Sequence, residues 1–290
     1  MRRRLSPTEV YPAHDPRVRD RFITVREVRT RIVEAGPADG RAVILIPGWA
    51  SSAFEYRKNT PALADAGFRV VAVDLPGQGE SDKPVDRSHY TVESMVAHLR
   101  AVLDAVGVER ASLVGQSLGG TVAMAFARES PERVERLVLI APVGLAPVRL
   151  ASLARAIVPP LPAALLARLG VRAWWSFGLR HAYGDRAKPT DRDIDEYWAP
   201  SRDPRYVAGL LAFVRGVDWR PSAREVLAKL SMAVLVVAGT RDRLIPIDEM
   251  VRRAKWLPNA ELVVIEGAGH PIQEEVPDEV NDALVRFLRS

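Results

Sequence analysis

The stretch Ala111-Ser112-Leu113-Val114-Gly115-Gln116-Ser117-Leu118-Gly119 joins an apolar run to a helix-compatible segment, residues 121–130. This order predicts a strand, a sharp turn that carries Ser117, and a helix. A serine hydroxyl becomes an effective nucleophile when a strained, exposed turn holds it and a neighbouring base accepts its proton, and flanking glycines allow the tight packing of such a turn. Ser117 is therefore the candidate nucleophile. The alternative is a plain glycine–serine turn between a strand and a helix.

Apolar and helical segments alternate around this turn. Residues 22–34 alternate apolar and charged side chains, which predicts two strands at an antiparallel edge of a sheet. Further strands are predicted at 42–46, 69–73, 136–140, 233–237 and 261–265, and further helices at 91–106, 248–256 and 276–288. Such alternation predicts an α/β fold with a mostly parallel central sheet flanked by helices.

Residues 143–230 differ in composition and sequence pattern from the rest of the chain. They contain several prolines and mixed helical runs, and no segment has a clear strand pattern. We therefore predict an inserted α-helical cap at 143–230, a core formed by 22–142 and 231–290, and a flexible basic N-terminal arm at 1–21. The aromatic side chains of the cap suit an apolar acyl or alcohol group, although packing within the cap explains them equally well. The candidate substrate contacts are Trp174, Trp175, Trp198, Phe213 and Trp219.

Composition excludes several classes of function. The net charge of +5 arises within residues 1–31, where nine Arg oppose four acidic residues, and the remainder is balanced, so a nucleic-acid partner is not expected. The absence of cysteine excludes a thiol nucleophile, disulfides and cysteine-ligated metals. No apolar stretch approaches the roughly 20 residues of a spanning helix, and no apolar segment follows the arginines at the start as in an export signal. We expect a cytoplasmic location and no stable membrane association.

A serine nucleophile needs a general base and a group that orients the base. Among five histidines, His270 alone follows a predicted strand in a glycine-rich loop, Gly267-Ala268-Gly269-His270-Pro271, at the sheet edge where ligands bind in open α/β folds. Asp242 follows the strand at 233–237 and is the candidate orienting acid. Asp248 is more simply a helix N-cap. The order Ser117, Asp242, His270 is typical of one class of hydrolase.

Attack by Ser117 would create an oxyanion that preorganised N–H groups must stabilise. The backbone N–H of Leu118, at the start of the helix after the nucleophile, is one candidate donor. The loop after the strand at 42–46 reads Pro47-Gly48-Trp49-Ala50, and the backbone N–H of Trp49 is the second candidate.

Taken together, these motifs resemble the α/β-hydrolase fold superfamily, in its serine-nucleophile branch with an inserted helical cap. The resemblance covers residues 22–290, and it is strongest at 74–82, 115–120, 239–246 and 267–275. Relatives usually carry His-Gly where this chain has Pro47-Gly48, which is a departure in the oxyanion loop. The resemblance implies a serine hydrolase, because haloalkane dehalogenases and epoxide hydrolases place a carboxylate where Ser117 stands.

We therefore expect cleavage of an ester or lactone of a small, largely apolar molecule through an acyl-enzyme, without a metal or cofactor. Thioesters remain possible substrates. Carbon–carbon bond hydrolysis of the meta-cleavage kind and perhydrolase activity are enzymatic alternatives. A non-hydrolytic lyase or a binding protein on the same fold is the alternative from a different class.

Overall fold

The computed structural model describes residues 10–12, 15–148, 163–169 and 171–290. The strands are β1 (Val18–Val25), β2 (Val28–Ala35), β3 (Ala42–Ile46), β4 (Arg69–Val73), β5 (Ala111–Gln116), β6 (Val134–Ile140), β7 (Ala233–Gly239) and β8 (Ala260–Ile265). They form one sheet in the order β1-β2-β4-β3-β5-β6-β7-β8. Strand β2 is antiparallel to both of its neighbours, and all the other pairs are parallel. The predicted α/β fold with a mostly parallel sheet is confirmed.

Helices cover both faces of the sheet, which is why its central strands are almost wholly apolar. The helices outside the cap are α1 (Thr60–Asp65), α2 (Val92–Ala105), α3 (Leu118–Glu129), α9 (Ile247–Ala254), α10 (Ile272–Glu275) and α11 (Pro277–Arg289). Helix α2 begins where the Thr91 side chain accepts a hydrogen bond from the Ser94 N–H at 3.2 Å, as an N-cap does. It buries Val96, Leu99 and Val102 in the core.

Strand β1 begins at Val18, four residues before the predicted edge strand and inside the predicted N-terminal arm. The start of β1 was not predicted, because the residues directly after Val18 are charged and exposed and so lack the apolar pattern of a strand. The charges are paired across the strands: Arg21 Nε lies 2.6 Å from Glu34 Oε2. The rest of the predicted arm, apart from residues 10–12 and 15–17, lies outside the described residues.

Between β6 and β7, the described residues form helices α4 (Ala163–Leu169), α5 (Arg172–Ala182), α6 (Asp191–Trp198), α7 (Pro204–Gly216) and α8 (Arg224–Leu227). The first residues of this segment pack with the main core, since Val143, Leu145 and Ala146 are buried there. Residues 149–162 and 170 of the predicted cap lie outside the described residues. Within the part of the chain that the structure covers, no helix has the length and apolar character needed to cross a membrane.

Candidate active site

Ser117 occupies a strained turn between β5 and α3. Its backbone φ is 51° and ψ is −116°, a left-handed φ that is uncommon for a residue with a side chain. The last residue of β6 and the segment that follows it hold the turn in place. The Ser117 N–H donates to Ile140 O at 2.9 Å, and Ser117 O accepts from Val143 N at 3.0 Å. The end of β6 therefore fixes the backbone that presents the hydroxyl.

The glycines beside Ser117 are required by close packing. A Cβ on Gly115 would lie 2.4 Å from Gly119 O, and a Cβ on Gly119 would lie 2.0 Å from Ile46 O. Helix α3 can start this close to the sheet only because both positions lack side chains. The helix begins at Leu118, three residues earlier than its predicted start. The sequence did not predict this first turn, because it contains two glycines and glycine has a low helix propensity.

His270 and Asp242 are joined at the carboxyl ends of β7 and β8. His270 Nδ1 lies 2.8 Å from Asp242 Oδ2, and Asp242 Oδ1 accepts the N–H groups of Leu244 at 2.8 Å and Ile245 at 2.9 Å. Burial opposes the charge on Asp242, but His270 and these two N–H groups outweigh it and hold the pKa of Asp242 below its usual value. An ionised Asp242 keeps the proton of neutral His270 on Nδ1 and leaves Nε2 free to accept one.

The loop that carries His270 is anchored to the cap. The His270 N–H donates to Ala182 O at 2.8 Å, and Glu275 Oε2 accepts from Gly269 N at 2.8 Å and Gly184 N at 2.9 Å. The sequence analysis missed this role of Glu275. The sequence carries no signal that distinguishes Glu275 from the other acidic residues nearby, Glu274, Asp278 and Glu279. Glu275 ties the imidazole loop to the cap end of α5.

The two candidate oxyanion donors, Trp49 and Leu118, belong to different segments that meet at the cavity around Ser117. Leu118 is the first residue of α3, where backbone N–H groups have no intrahelical acceptor. Trp49 follows Gly48, and a Cβ on Gly48 would lie 2.2 Å from Gln116 Oε1, so a side chain at position 48 would displace the Gln116 amide. The Trp49 indole Nε1 donates to Leu210 O at 3.2 Å and links this loop to α7.

A cavity of about 500 Å³ lies between the core and the cap, within the size range of small-molecule sites. Ser117 and His270 both line it, and their side chains are not directly hydrogen-bonded to each other. Trp49 and Leu244 also line it. Three predicted substrate contacts also line it: Trp174, Trp175 and Trp219.

Two further predicted substrate contacts, Trp198 and Phe213, are not among the described residues that line the cavity. Phe213 is fully buried and packs edge-on against Tyr90, with ring centroids 5.0 Å apart. Trp198 packs beside Arg202, whose guanidinium carbon lies 5.5 Å from the indole ring. Aromatic character alone did not distinguish packing within the cap from contact with the cavity.

Polar lining residues that the sequence analysis missed lie beside the oxyanion loop. Ser51, Glu55 and Tyr197 line the cavity, and Glu55 is a carboxyl group without an ion-pair partner among the described residues. Nothing in the sequence around Glu55 set it apart from a surface glutamate. Over the residues that the structure describes, no group of three or more His, Asp or Glu side chains could hold a metal ion.

Comparison with known proteins places this geometry in a family. A family model described as "alpha/beta hydrolase fold" matches residues 41–277. The chain is 32% identical to 2-hydroxy-6-oxo-6-phenylhexa-2,4-dienoate hydrolase of Comamonas testosteroni, over 88% of this chain and 90% of that protein. It is 29% identical to epoxide hydrolase A of Mycobacterium tuberculosis, over 93% of this chain and 97% of that protein.

Solved structures agree with the sequence comparison. The structure of Cfl2 from Burkholderia cenocepacia is similar with a TM-score of 0.80 at 33% identity, covering 94% of this chain and 97% of that one. The family model spans most of the core strands and the segments that carry Ser117, Asp242 and His270. The chain belongs to the alpha/beta hydrolase fold family.

Proposed function

We propose that this hydrolase cleaves an ester or lactone of a small, largely apolar molecule, with Ser117 as nucleophile. The observation that carries the proposal is the buried hydrogen bond from His270 to Asp242, which faces the same cavity as the strained Ser117 turn. A serine, an oriented imidazole and a buried carboxylate are the components of acyl transfer through a covalent intermediate.

In the proposed reaction, Ser117 Oγ attacks the carbonyl carbon while His270 Nε2 takes the hydroxyl proton. The N–H groups of Trp49 and Leu118 stabilise the oxyanion. His270 then gives the proton to the departing alkoxide, which leaves as an alcohol, and the acyl group stays on Ser117. Water attacks the acyl-enzyme with His270 again as the base, and the acid and free Ser117 are regenerated.

The cavity lining supports an uncharged substrate. Among the described residues that line it, none is Lys or Arg, and aromatic and aliphatic side chains predominate. A cavity of this kind favours apolar groups, because each buried methylene contributes about 0.8 kcal/mol. Small neutral esters and lactones match these properties.

Carbon–carbon bond hydrolysis is the second candidate, and the similarity to the Comamonas testosteroni dienoate hydrolase favours it. The name of that relative denotes a carboxylate substrate, whereas the described lining here offers no cation. The similarity to epoxide hydrolase A carries less weight, because this chain has Ser117 where the family's epoxide hydrolases use a carboxylate.

A direct substrate comparison tests the proposal. Purified enzyme and its Ser117→Ala variant would be assayed with p-nitrophenyl esters from acetate to decanoate, with γ- and δ-lactones, and with 2-hydroxy-6-oxo-6-phenylhexa-2,4-dienoate. We expect the highest kcat/KM for a neutral ester or lactone, and its loss in Ser117→Ala. A higher kcat/KM for the dienoate would favour carbon–carbon cleavage instead.

A further inference from the structure

Glu55 is a buried carboxyl group in the wall of the active-site cavity. It belongs to a short 3₁₀ helix, Ala53–Tyr56, that directly follows the oxyanion loop, and only 3% of its surface is exposed. Two hydrogen bonds fix the helix start: Ala53 N donates to Asp74 Oδ1 at 2.7 Å, and Phe54 N donates to Ser52 Oγ at 3.3 Å. This start turns Glu55 toward the cavity.

The surroundings of Glu55 disfavour a negative charge on it. No Lys or Arg of the described chain lies within ion-pair distance, and its two oxygens share one N–H, that of Gly48, at 3.3 Å each. The nearby Arg57 is already paired with two other carboxylates, Glu274 and Asp193. Burial raises the pKa of Glu55 well above its usual value. A hydrogen bond with the Ser51 side chain acts in the opposite direction but is outweighed, and the Glu274 carboxylate adds to the rise. Burial without a paired cation therefore favours the neutral carboxylic acid form of Glu55.

A neutral acid carries one O–H donor, and the neighbouring hydroxyls leave that donor available. The Ser51 hydroxyl donates to Tyr197 OH at 3.4 Å, and Tyr197 OH donates to Glu274 Oε1 at 2.5 Å. The Tyr197 hydrogen is thus committed to Glu274, and the Ser51 hydrogen to Tyr197 or to Glu55 itself. The carbonyl oxygen of Glu55 can accept from Gly48 N–H, which leaves the Glu55 hydroxyl as the uncommitted donor of the group.

We propose that Ser51, Glu55 and Tyr197, which we call the polar strip, form a subsite for an uncharged oxygen of the substrate, with Glu55 as its hydrogen-bond donor. The preferred ligand class is an ester or lactone that carries a keto or hydroxyl oxygen on an otherwise apolar acyl group. A substrate carboxylate in this position would face the Glu55 carboxyl group and the hydrogen-bond chain that ends at Glu274. No cation among the described lining residues would compensate its charge. This inference rests on the proposed ester or lactone hydrolysis.

Three matched esters test the subsite: p-nitrophenyl pentanoate, p-nitrophenyl 4-oxopentanoate, and the p-nitrophenyl monoester of pentanedioic acid. They differ only in whether the acyl chain ends in a methyl group, a keto group with its methyl, or a carboxylate. We expect kcat/KM for the keto ester to exceed that for pentanoate by about fivefold, the size of one net hydrogen bond. We expect the carboxylate ester to be the poorest of the three.

Variants of Glu55 separate donation from packing. Glu55→Gln keeps the shape, the neutral state and an N–H donor, so the keto preference should persist. Glu55→Leu keeps much of the volume without a donor, so the ratio should fall to about one. Tyr183→Phe is the matched control: it removes a hydroxyl from the same buried cluster but outside the cavity lining, and the ratio should not change. Fluorophosphonate labelling of Ser117 would verify that each variant is folded.

The keto preference surviving in Glu55→Leu, or the carboxylate ester being the best substrate, would overturn the subsite. Binding of the corresponding anilides, measured by calorimetry, keeps the inference testable if no ester is turned over. The keto anilide should bind about fivefold more tightly than the pentanoic anilide, and only in proteins with a donor at position 55. Equal binding of the two anilides would refute the polar strip. Selective binding of the keto anilide, without turnover of any ester, would refute ester hydrolysis but not the polar strip.

Discussion

Gln78 Nε2 donates a 2.7 Å hydrogen bond to the carbonyl oxygen of Gly48 and thereby orients the peptide that links Gly48 to Trp49. In a trans peptide the carbonyl and the following N–H point in opposite directions. Holding the Gly48 carbonyl therefore aims the Trp49 N–H away from Gln78. The Gln78 side chain is itself held, because its Oε1 accepts from Leu75 N at 3.3 Å. A residue of the loop after β4 thus determines where the proposed oxyanion donor points.

Replacing Gln78 by Leu should lower kcat more than it changes KM, because a misdirected Trp49 N–H would weaken stabilisation of the transition state and not of the ground state. We expect a loss of about tenfold or more, up to the 10²–10³-fold seen when an oxyanion donor is removed. Steady-state kinetics would measure it. Thr30→Val is the control, since it removes a buried hydrogen bond to His98, and neither residue lines the cavity. Equal kcat losses in both variants would point to general destabilisation.

Asp242→Asn should lower kcat by orders of magnitude, as the corresponding change does in serine proteases, about 10⁴-fold. The amide would no longer stabilise the imidazolium that forms on His270, and the wrong tautomer would be favoured. Asp248→Asn, on the exposed start of α9, should have little effect on kcat. A greater loss of kcat in Asp248→Asn than in Asp242→Asn would show that Asp242 is not the orienting carboxylate.

The turn at Ser117 and the positions of Asp242 and His270 at strand ends were predictable because each depends on local sequence. Glycine spacing marks the turn, and residues just after buried strands fall at one sheet edge. Glu55, Gln78 and Glu275 were not predicted, because their roles come from contacts with distant residues. Gln78, for example, lies 30 positions from its partner Gly48. Only tertiary packing shows which buried polar side chains reach the site.

Cap aromatics illustrate the same limit. Trp219 lines the cavity, whereas Trp198 does not, although the sequence predicted the same role for both. Trp219→Ala should therefore shift the chain-length profile of p-nitrophenyl esters, with about fourfold changes for each methylene that gains or loses burial. Trp198→Ala should leave the profile unchanged. A shift in the Trp198 variant alone would mean that the cap residues contact the substrate differently.

The stability of the protein should depend on pH through Glu55. Burial raises the folded-state pKa of Glu55 above its unfolded value of about 4.3. Such a group contributes its full stability below the unfolded pKa, and that contribution is lost as pH rises through the folded pKa. The Tm of the wild type relative to Glu55→Gln should thus decrease as the pH rises above the unfolded pKa of about 4.3.

Thermal unfolding of both proteins across that range checks the prediction for Glu55. The neighbouring groups Glu274, Tyr56 and Tyr197 are present in both proteins, so their own titration largely cancels in the difference. A Tm difference that is constant with pH would show that Glu55 does not titrate differently in the folded and unfolded states.

Trapping the covalent intermediate on Ser117 tests the central claim most directly. Wild-type enzyme would be mixed with the best p-nitrophenyl ester, quenched in acid within the first turnovers, digested and analysed by mass spectrometry. We expect an acyl group on the peptide that contains Ser117, formed together with a burst of p-nitrophenolate, and neither in Ser117→Ala. Ester turnover that persists in Ser117→Ala, or an acyl group on a different residue, would contradict the account.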